Sequence, residues 1–212
     1  MLDCAVVMGA KIILFGGTFD PIHLGHTKVI KHCAEHIGAD KTVFIPAKCS
    51  PHKKEFPLAS NADRIKMISL ALEGASGFEV SDCELKRGLS GYTLDTVKYF
   101  RKVYGKQARL YWLVGADAVK DMGKWHGVEE LIELCDLSVM YRAGFEKPCF
   151  SKFKAVFGPD RIRKLQQNVI STPLINISST QIRQKLSRGA EIQDMVAPAV
   201  MDYIERNHLY GS

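Results

Sequence analysis

The chain is short of the features that would settle its class at once. None of its six cysteines (4, 33, 49, 83, 135 and 149) form a C-x-x-C pair. A chain of 212 residues buries enough core to stand without staples, so reduced thiols are the simpler reading. No stretch is long and apolar enough to span a bilayer. The opening MLDCAVVMGAKIILFGG carries no early Lys or Arg, and its apolar run is broken before any cleavage-like site, which argues against a signal peptide. A cytoplasmic location is the expectation that follows. Met8 lies just before the first apolar run, so residues 1–7 read either as a short extension or as an upstream start. No tail is polybasic and the basic residues are spread out. The net charge of +6 therefore suits phosphate-rich ligands but does not point to nucleic acid as the partner. Neither G-x-x-x-x-G-K-[ST] nor G-x-G-x-x-G occurs, which excludes the P-loop and the usual dinucleotide fingerprint. There is no internal repeat, low-complexity tract or linker, and the hydrophobic fraction of 46% is ordinary, so residues 1–212 are expected to form one domain.

What is present is an alternation of short apolar runs with helical patterns. Lys11–Phe15, Thr42–Ile45, Phe78–Val80, Leu110–Val114, Leu137–Tyr141 and Leu174–Ile177 read as strands. Between them, Leu24–Ile37 has apolar residues at helical spacing and a stop at Gly38. Ser60 opens SNAD, a capping-box pattern before RIKMISLAL. Thr93–Tyr104 and Trp125–Cys135 read as helices, a further helix is expected after GADA, Ser178 opens SSTQIRQKL, and Asp194–Asn207 reads as a closing amphipathic helix. Residues 47–59, polar and basic, read as a loop. The pattern predicts an α/β fold: a doubly wound, Rossmann-like parallel sheet with helices on both faces and a small C-terminal helical part. Ligands in such sheets sit beyond the carboxyl ends of the strands at a topological switch point. Four segments fall at strand ends: Gly16–His26, Ala47–Lys54, Gly115–Asp117 and Ser178–Arg183.

The first of these, GGTFDPIHLGH, joins a strand to a helix. Gly16 and Gly17 lack Cβ, so a polyphosphate can approach the backbone. The helix beginning near Leu24 offers unpaired amides and a positive dipole end. His23 and His26, three apart, share one face there and can donate to phosphate oxygens. The alternatives are a plain polar junction or a metal pair, the latter disfavoured by a cationic helix end and the lack of a third adjacent ligand. His32 and His36 fit a solvated helix face better than a metal site. His52, Lys53 and Lys54 fit a charged loop, or a loop whose Lys53 neutralises a triphosphate. Ser178 and Gln181 fit a capping box, to which the functional reading adds hydroxyls and the forked cation of Arg183. Trp125 fits core packing or a stacking platform for an aromatic base. Tyr92 and Thr93 fit a helix cap, or an amide that meets a carboxylate.

Taken together, GGTFDPIHLGH and ISSTQIR resemble the nucleotidyltransferase superfamily marked by H-x-G-H and I-S-S-T-x-I-R. Within it the chain resembles the bacterial nicotinate-nucleotide adenylyltransferases, collinearly from Lys11 to Tyr210. PAKCSPHKK is similar to that family's P-x-x-x-x-PHK loop, and GYTLDTV to its S-Y-T-x-x-T-L element. GADAVKDMGKWHGVEEL is similar to its G-x-D…W segment, and VMDYIERNHLY to its closing helix and L-Y end. The chain departs from the family at Arg142-Ala143-Gly144-Phe145, where R-P-G-Y is usual. Residues 1–9 and 146–170 carry no family element.

The resemblance implies transfer of AMP from ATP to nicotinate mononucleotide, giving nicotinate adenine dinucleotide and pyrophosphate in NAD synthesis. The mononucleotide phosphate would attack the α-phosphorus in line, with no covalent intermediate. Mg²⁺ would be held by the phosphates rather than by a metal site of the protein. His23, His26 and Arg183 would be catalytic. Gly16, Gly17, Thr18, Phe19, Lys53, Gly115, Asp117, Ser178, Ser179 and Thr180 would bind ATP, with Gly115 and Asp117 on its ribose or adenine side. Tyr92, Thr93, Trp125 and His126 would bind the mononucleotide, Trp125 by stacking on the pyridine ring. Rival readings are a nicotinamide mononucleotide adenylyltransferase and a pantetheine-phosphate adenylyltransferase, the latter usually shorter and without histidine at the position of His23. A non-catalytic nucleotide- or RNA-binding module is a third. Membrane and nucleic-acid partners are not expected, and oligomeric state and the strictness of acid over amide stay open.

Overall fold

A computed structural model describes residues 9–48, 56–86 and 91–211 of the chain. Six strands form one sheet: β1 (Lys11–Gly17), β2 (Lys41–Pro46), β3 (Phe78–Val80), β4 (Arg109–Gly115), β5 (Asp136–Arg142) and β6 (Val169–Thr172). Their order across the sheet is β3-β2-β1-β4-β5-β6, and every neighbouring pair is parallel. This is the expected doubly wound arrangement. The order reverses between β1 and β4, so the crevice of such a sheet opens above the ends of those two strands.

Period-two alternation divides the core into two layers. From β1, Ile12 and Leu14 face one layer and Ile13 and Phe15 the other. The first layer packs under α4 (Thr93–Tyr104), α5 (Val128–Leu134) and α6 (Lys154–Gln167) through Val97, Phe100, Leu131, Phe157 and Leu165. The second packs under α1 (Leu24–Ile37), α2 (Asn61–Ala71), α7 (Ser179–Leu186) and α8 (Pro198–Arg206) through Ile30, Met67, Ile68, Ile182, Val200 and Ile204. A four-residue helix, α3 (Cys83–Lys86), completes the set.

Several expected bounds are corrected. The last strand is Val169–Thr172, and residues 174–177 carry no regular structure. Ile170 is buried there and Leu174 is 59% exposed, so burial rather than apolar content decides between the two runs. The segment after β4 is a 3-10 run, Ala116–Lys124, and the helix expected from Trp125 starts at Val128. The closing helix starts at Pro198, where proline's fixed φ and missing N–H suit a first turn. The unassigned stretch 146–170 supplies α6 and the first half of β6; Gly158 breaks α6 with φ 75 just before Pro159.

Candidate functional site

The turn from β1 into α1 is held in one shape by its own histidines. His23 is the N-cap of α1: its Nδ1 accepts the His26 amide, while His26 Nδ1 accepts the His23 amide, both at 3.3 Å. This is a capping box built from two imidazoles instead of Ser and Glu. Because both Nδ1 atoms accept, both ring protons lie on Nε2. The rings stack at 3.7 Å with 23° between their planes. His23 is only 6% exposed, and burial lowers its pKa to about 4, so it is neutral at pH 7. Gly25 between them is required by packing: a Cβ there would stand 2.8 Å from His23 Nδ1.

Upstream, Gly16 and Gly17 have an internal reason to be glycine as well as the proposed one. A Cβ on Gly16 would lie 2.8 Å from the Trp112 ring, and one on Gly17 2.8 Å from the ring of Phe19. Phe19 has φ 49 and its ring meets His26 edge-on at 5.1 Å. The Asp20–Pro21 peptide is cis.

No strand or helix pairs the carbonyls of this turn, and distant side chains take them instead. Arg64 Nη1 donates to Thr18 O at 2.7 Å and to Ala47 O at 2.8 Å. Arg183 Nη1 donates to Asp20 O at 2.7 Å, and Ser179 Oγ to Pro21 O at 2.9 Å. The Asp20 carboxylate, 4% exposed, accepts from the amides of Leu58 and Ala59 and from the Tyr210 hydroxyl. Ser178 caps α7 in a full capping box with Gln181. The bland reading of Ser178 therefore holds in this structure, and the exposed Thr180 hydroxyl lies 3.4 Å from Arg183 Nη2.

Beside the turn, over the ends of β1 and β4, opens a cleft of about 630 Å³. Gly16, Gly17 and Thr18 line one side and Gly115 and Asp117 another. Tyr92, Thr93, Trp125 and His126 line it too, and the Tyr92 and His126 rings stack at 4.6 Å. Trp125 is half-buried, and its Nε1 is buried with no hydrogen-bond partner among the described residues. Nine of the anticipated residues thus meet in one cleft. His23, His26, Phe19 and the α7 residues Ser178, Ser179, Thr180 and Arg183 do not line it; they cluster at the turn that continues from Thr18. Lys53 falls outside the described residues. Among those that are described, no group of three or more His, Cys, Asp or Glu is placed to hold a metal ion.

Three residues escaped the sequence reading. Glu84 lines the cleft, 7% exposed, with its carboxylate accepting from Thr96 Oγ1 at 2.6 Å; burial raises its pKa. Nothing in SDCEL distinguishes it. Arg64 had a signal: it precedes Met67 and Ile68 by three and four, which places a cation on the buried face of α2. Asp20 stood unremarked within the quoted motif.

Comparison with known proteins gives a consistent set of likenesses. A cytidylyltransferase-like family model matches residues 14–185. A Clostridium tetani protein named "Probable nicotinate-nucleotide adenylyltransferase" is 34% identical over 203 residues, covering 94% of this chain and 98% of its own. One of the same name from Neisseria gonorrhoeae is 37% identical over 200 residues, with the same coverage of 94% and 98%. Among solved structures, a Plasmodium falciparum nicotinic acid mononucleotide adenylyltransferase complexed with NaAD superposes with a TM-score of 0.69 at 20% identity, over 95% of this chain and 97% of that one.

Proposed function

The chain belongs to the cytidylyltransferase-like family and, within it, to the nicotinate-nucleotide adenylyltransferases, and from that premise we propose how its residues divide the work. It is a nucleotidyltransferase that moves AMP from ATP to nicotinate mononucleotide, yielding nicotinate adenine dinucleotide and pyrophosphate for NAD synthesis. A phosphate oxygen of the mononucleotide attacks the α-phosphorus of ATP. The new P–O bond forms as the bond to the β-phosphate bridging oxygen breaks, and pyrophosphate leaves with that electron pair. Such a transfer needs positioning and charge stabilisation more than proton transfer.

The observation that carries this assignment is the reciprocal capping of His23 and His26, which leaves both rings as Nε2–H donors. A neutral ring with a low pKa keeps that role across the neutral range. Gly16–Thr18 lead from the cleft to the histidines, so the triphosphate runs along them with its nucleoside toward Gly115 and Asp117. The mononucleotide lies against Trp125, which offers a ring face and an indole N–H, and Tyr92, Thr93 and His126 frame the base. Arg183 and Ser179 act first by holding the turn, and the remaining guanidinium donors face phosphate. Ser178 and Thr180 contribute from the start of α7, and Lys53 adds a cation for the triphosphate. Mg²⁺ enters with ATP as part of the substrate, held by phosphate oxygens, an ion that keeps several waters and seldom has an all-protein cage. We place the transfer in the cytoplasm without nucleic-acid or membrane partners. Cys33, Cys83, Cys135 and Cys149 are free, and no described helix is long and apolar enough to cross a membrane.

The test is a coupled pyrophosphate-release assay with ATP, Mg²⁺ and either mononucleotide. Release is expected with nicotinate mononucleotide and to be much weaker with the amide, whose carboxamide leaves a site donor unpaired. Absence of release with the acid would sink the enzymatic reading; equal rates would sink the preference.

A further inference from the structure

Given this adenylyl-transfer reading, we propose that Tyr210, at the far end of the chain, is a positioning residue for the reaction: its hydroxyl fixes Asp20, and the turn at Asp20 aims the two histidine rings. The Tyr210 hydroxyl donates to Asp20 Oδ1 at 2.7 Å. The same carboxylate takes the Leu58 amide at 2.9 Å and the Ala59 amide at 3.1 Å, so three donors converge on one buried group. Two cations flank it: Arg183 Nη1 stands 4.0 Å from Asp20 Oδ2, and Arg64, 0% exposed, also grips Thr18 O. Phe19 and Tyr210 have φ of 49 and 63, a region aromatic residues rarely enter and keep only where neighbours hold them. Phe19 transmits the position of Asp20 onward, since its ring packs against His26. Burial and the Asp20 charge raise the phenol's pKa, so it remains a donor.

A second tyrosine supplies the control. Tyr203 on α8 donates to Asp63 Oδ1 at 2.9 Å, a bond of the same kind that does not touch the turn. A merely structural clamp would make the two tyrosines equivalent. Tyr210→Phe and Tyr203→Phe are compared by steady-state kinetics and by ¹⁵N NMR of histidine-labelled protein, the rings assigned through His23→Asn and His26→Ala. For Tyr210→Phe, kcat should fall about tenfold, the scale of a hydrogen bond to a charged group, with both KM values within about threefold. The ring nitrogen resonances of His23 and His26 should move in that variant alone. Tyr203→Phe should keep wild-type kcat and ring resonances. Equal kcat in the two variants, or unmoved ring resonances in Tyr210→Phe, overturns the proposal. Should the wild type release no pyrophosphate, the functional reading fails separately, and the resonances still decide whether Tyr210 orients the rings.

Discussion

The histidine turn and the cleft beside it are built on opposite plans. In the turn, partners within the chain take up the groups that set its shape. The carbonyls of Thr18, Asp20 and Pro21 go to Arg64, Arg183 and Ser179, and both Nδ1 atoms go to backbone amides. In the cleft, Trp125 keeps a buried N–H without a partner among the described residues, and Tyr92 stands 46% exposed. The difference follows from the chemistry. Donors that stabilise a transition state act best when they need no reorganisation. Donors that select a substrate must be completed by it, because an unsatisfied buried group penalises the wrong ligand.

The sharpest way to break the comparison is to remove a donor from the turn without disturbing its shape. His23→Asn does this: asparagine is a favoured N-cap whose oxygen can still accept the His26 amide, but it lacks the Nε2–H. Turnover is expected to fall about 10²–10³-fold with little change in melting temperature, the scale for one oxyanion-type donor. His26→Ala should fall as far. Near-wild-type turnover in either variant would show that the rings only cap the helix.

The same residue ties the turn to pH. Burial lowers the His23 pKa from 6.5 to about 4, so the folded state resists a proton that the unfolded state accepts. The stability this confers is complete above pH 6.5 and is lost as pH falls toward 4, with an upper bound of about 3 kcal/mol at ~1.4 kcal/mol per unit. Denaturant titrations at pH 7 and 4.5 should show a loss in the wild type larger than in His23→Asn. Identical losses would mean that the turn tolerates a charged ring.

In the cleft the expected effect is smaller and falls on binding. Trp125→Phe keeps an aromatic face but removes the indole N–H, so KM for the mononucleotide should rise about tenfold with KM for ATP unchanged. An effect confined to kcat would move Trp125 from selection to chemistry.

What was legible in the sequence follows the same division. The strand-to-helix turn and its glycines were readable because local rules govern them, and β1, α1, β3 and α4 kept nearly their expected bounds. The doubly wound fold class was readable from alternation alone. The last strand was misplaced because its identity depends on pairing with β5, through Val139–Val169 and Met140–Ile170, a contact that no local pattern announces. The roles of Ser179 and Arg183 were half legible: a cap and a cation were visible, but their hold on carbonyls 158 and 163 residues away was not. Tyr210 was visible only as part of a family-like ending, and Glu84 not at all.

The gentlest test concerns Glu84, the cleft residue whose partner lies inside the protein. Its carboxylate accepts from Thr96 Oγ1, and burial raises its pKa above the ordinary 4.5. A raised carboxyl stabilises the fold while protonated, and that contribution is lost as pH rises through 4.5 toward the folded-state value. Glu84→Gln keeps an oxygen for Thr96 and removes the buried charge. At pH 7 it should gain about 1 kcal/mol, or about 2–4 °C in melting temperature, with the gain fading toward pH 4. If instead the variant loses stability at pH 7, or raises KM for the mononucleotide more than about tenfold, the carboxylate meets the ligand and Glu84 belongs with Trp125 among the groups that wait for substrate.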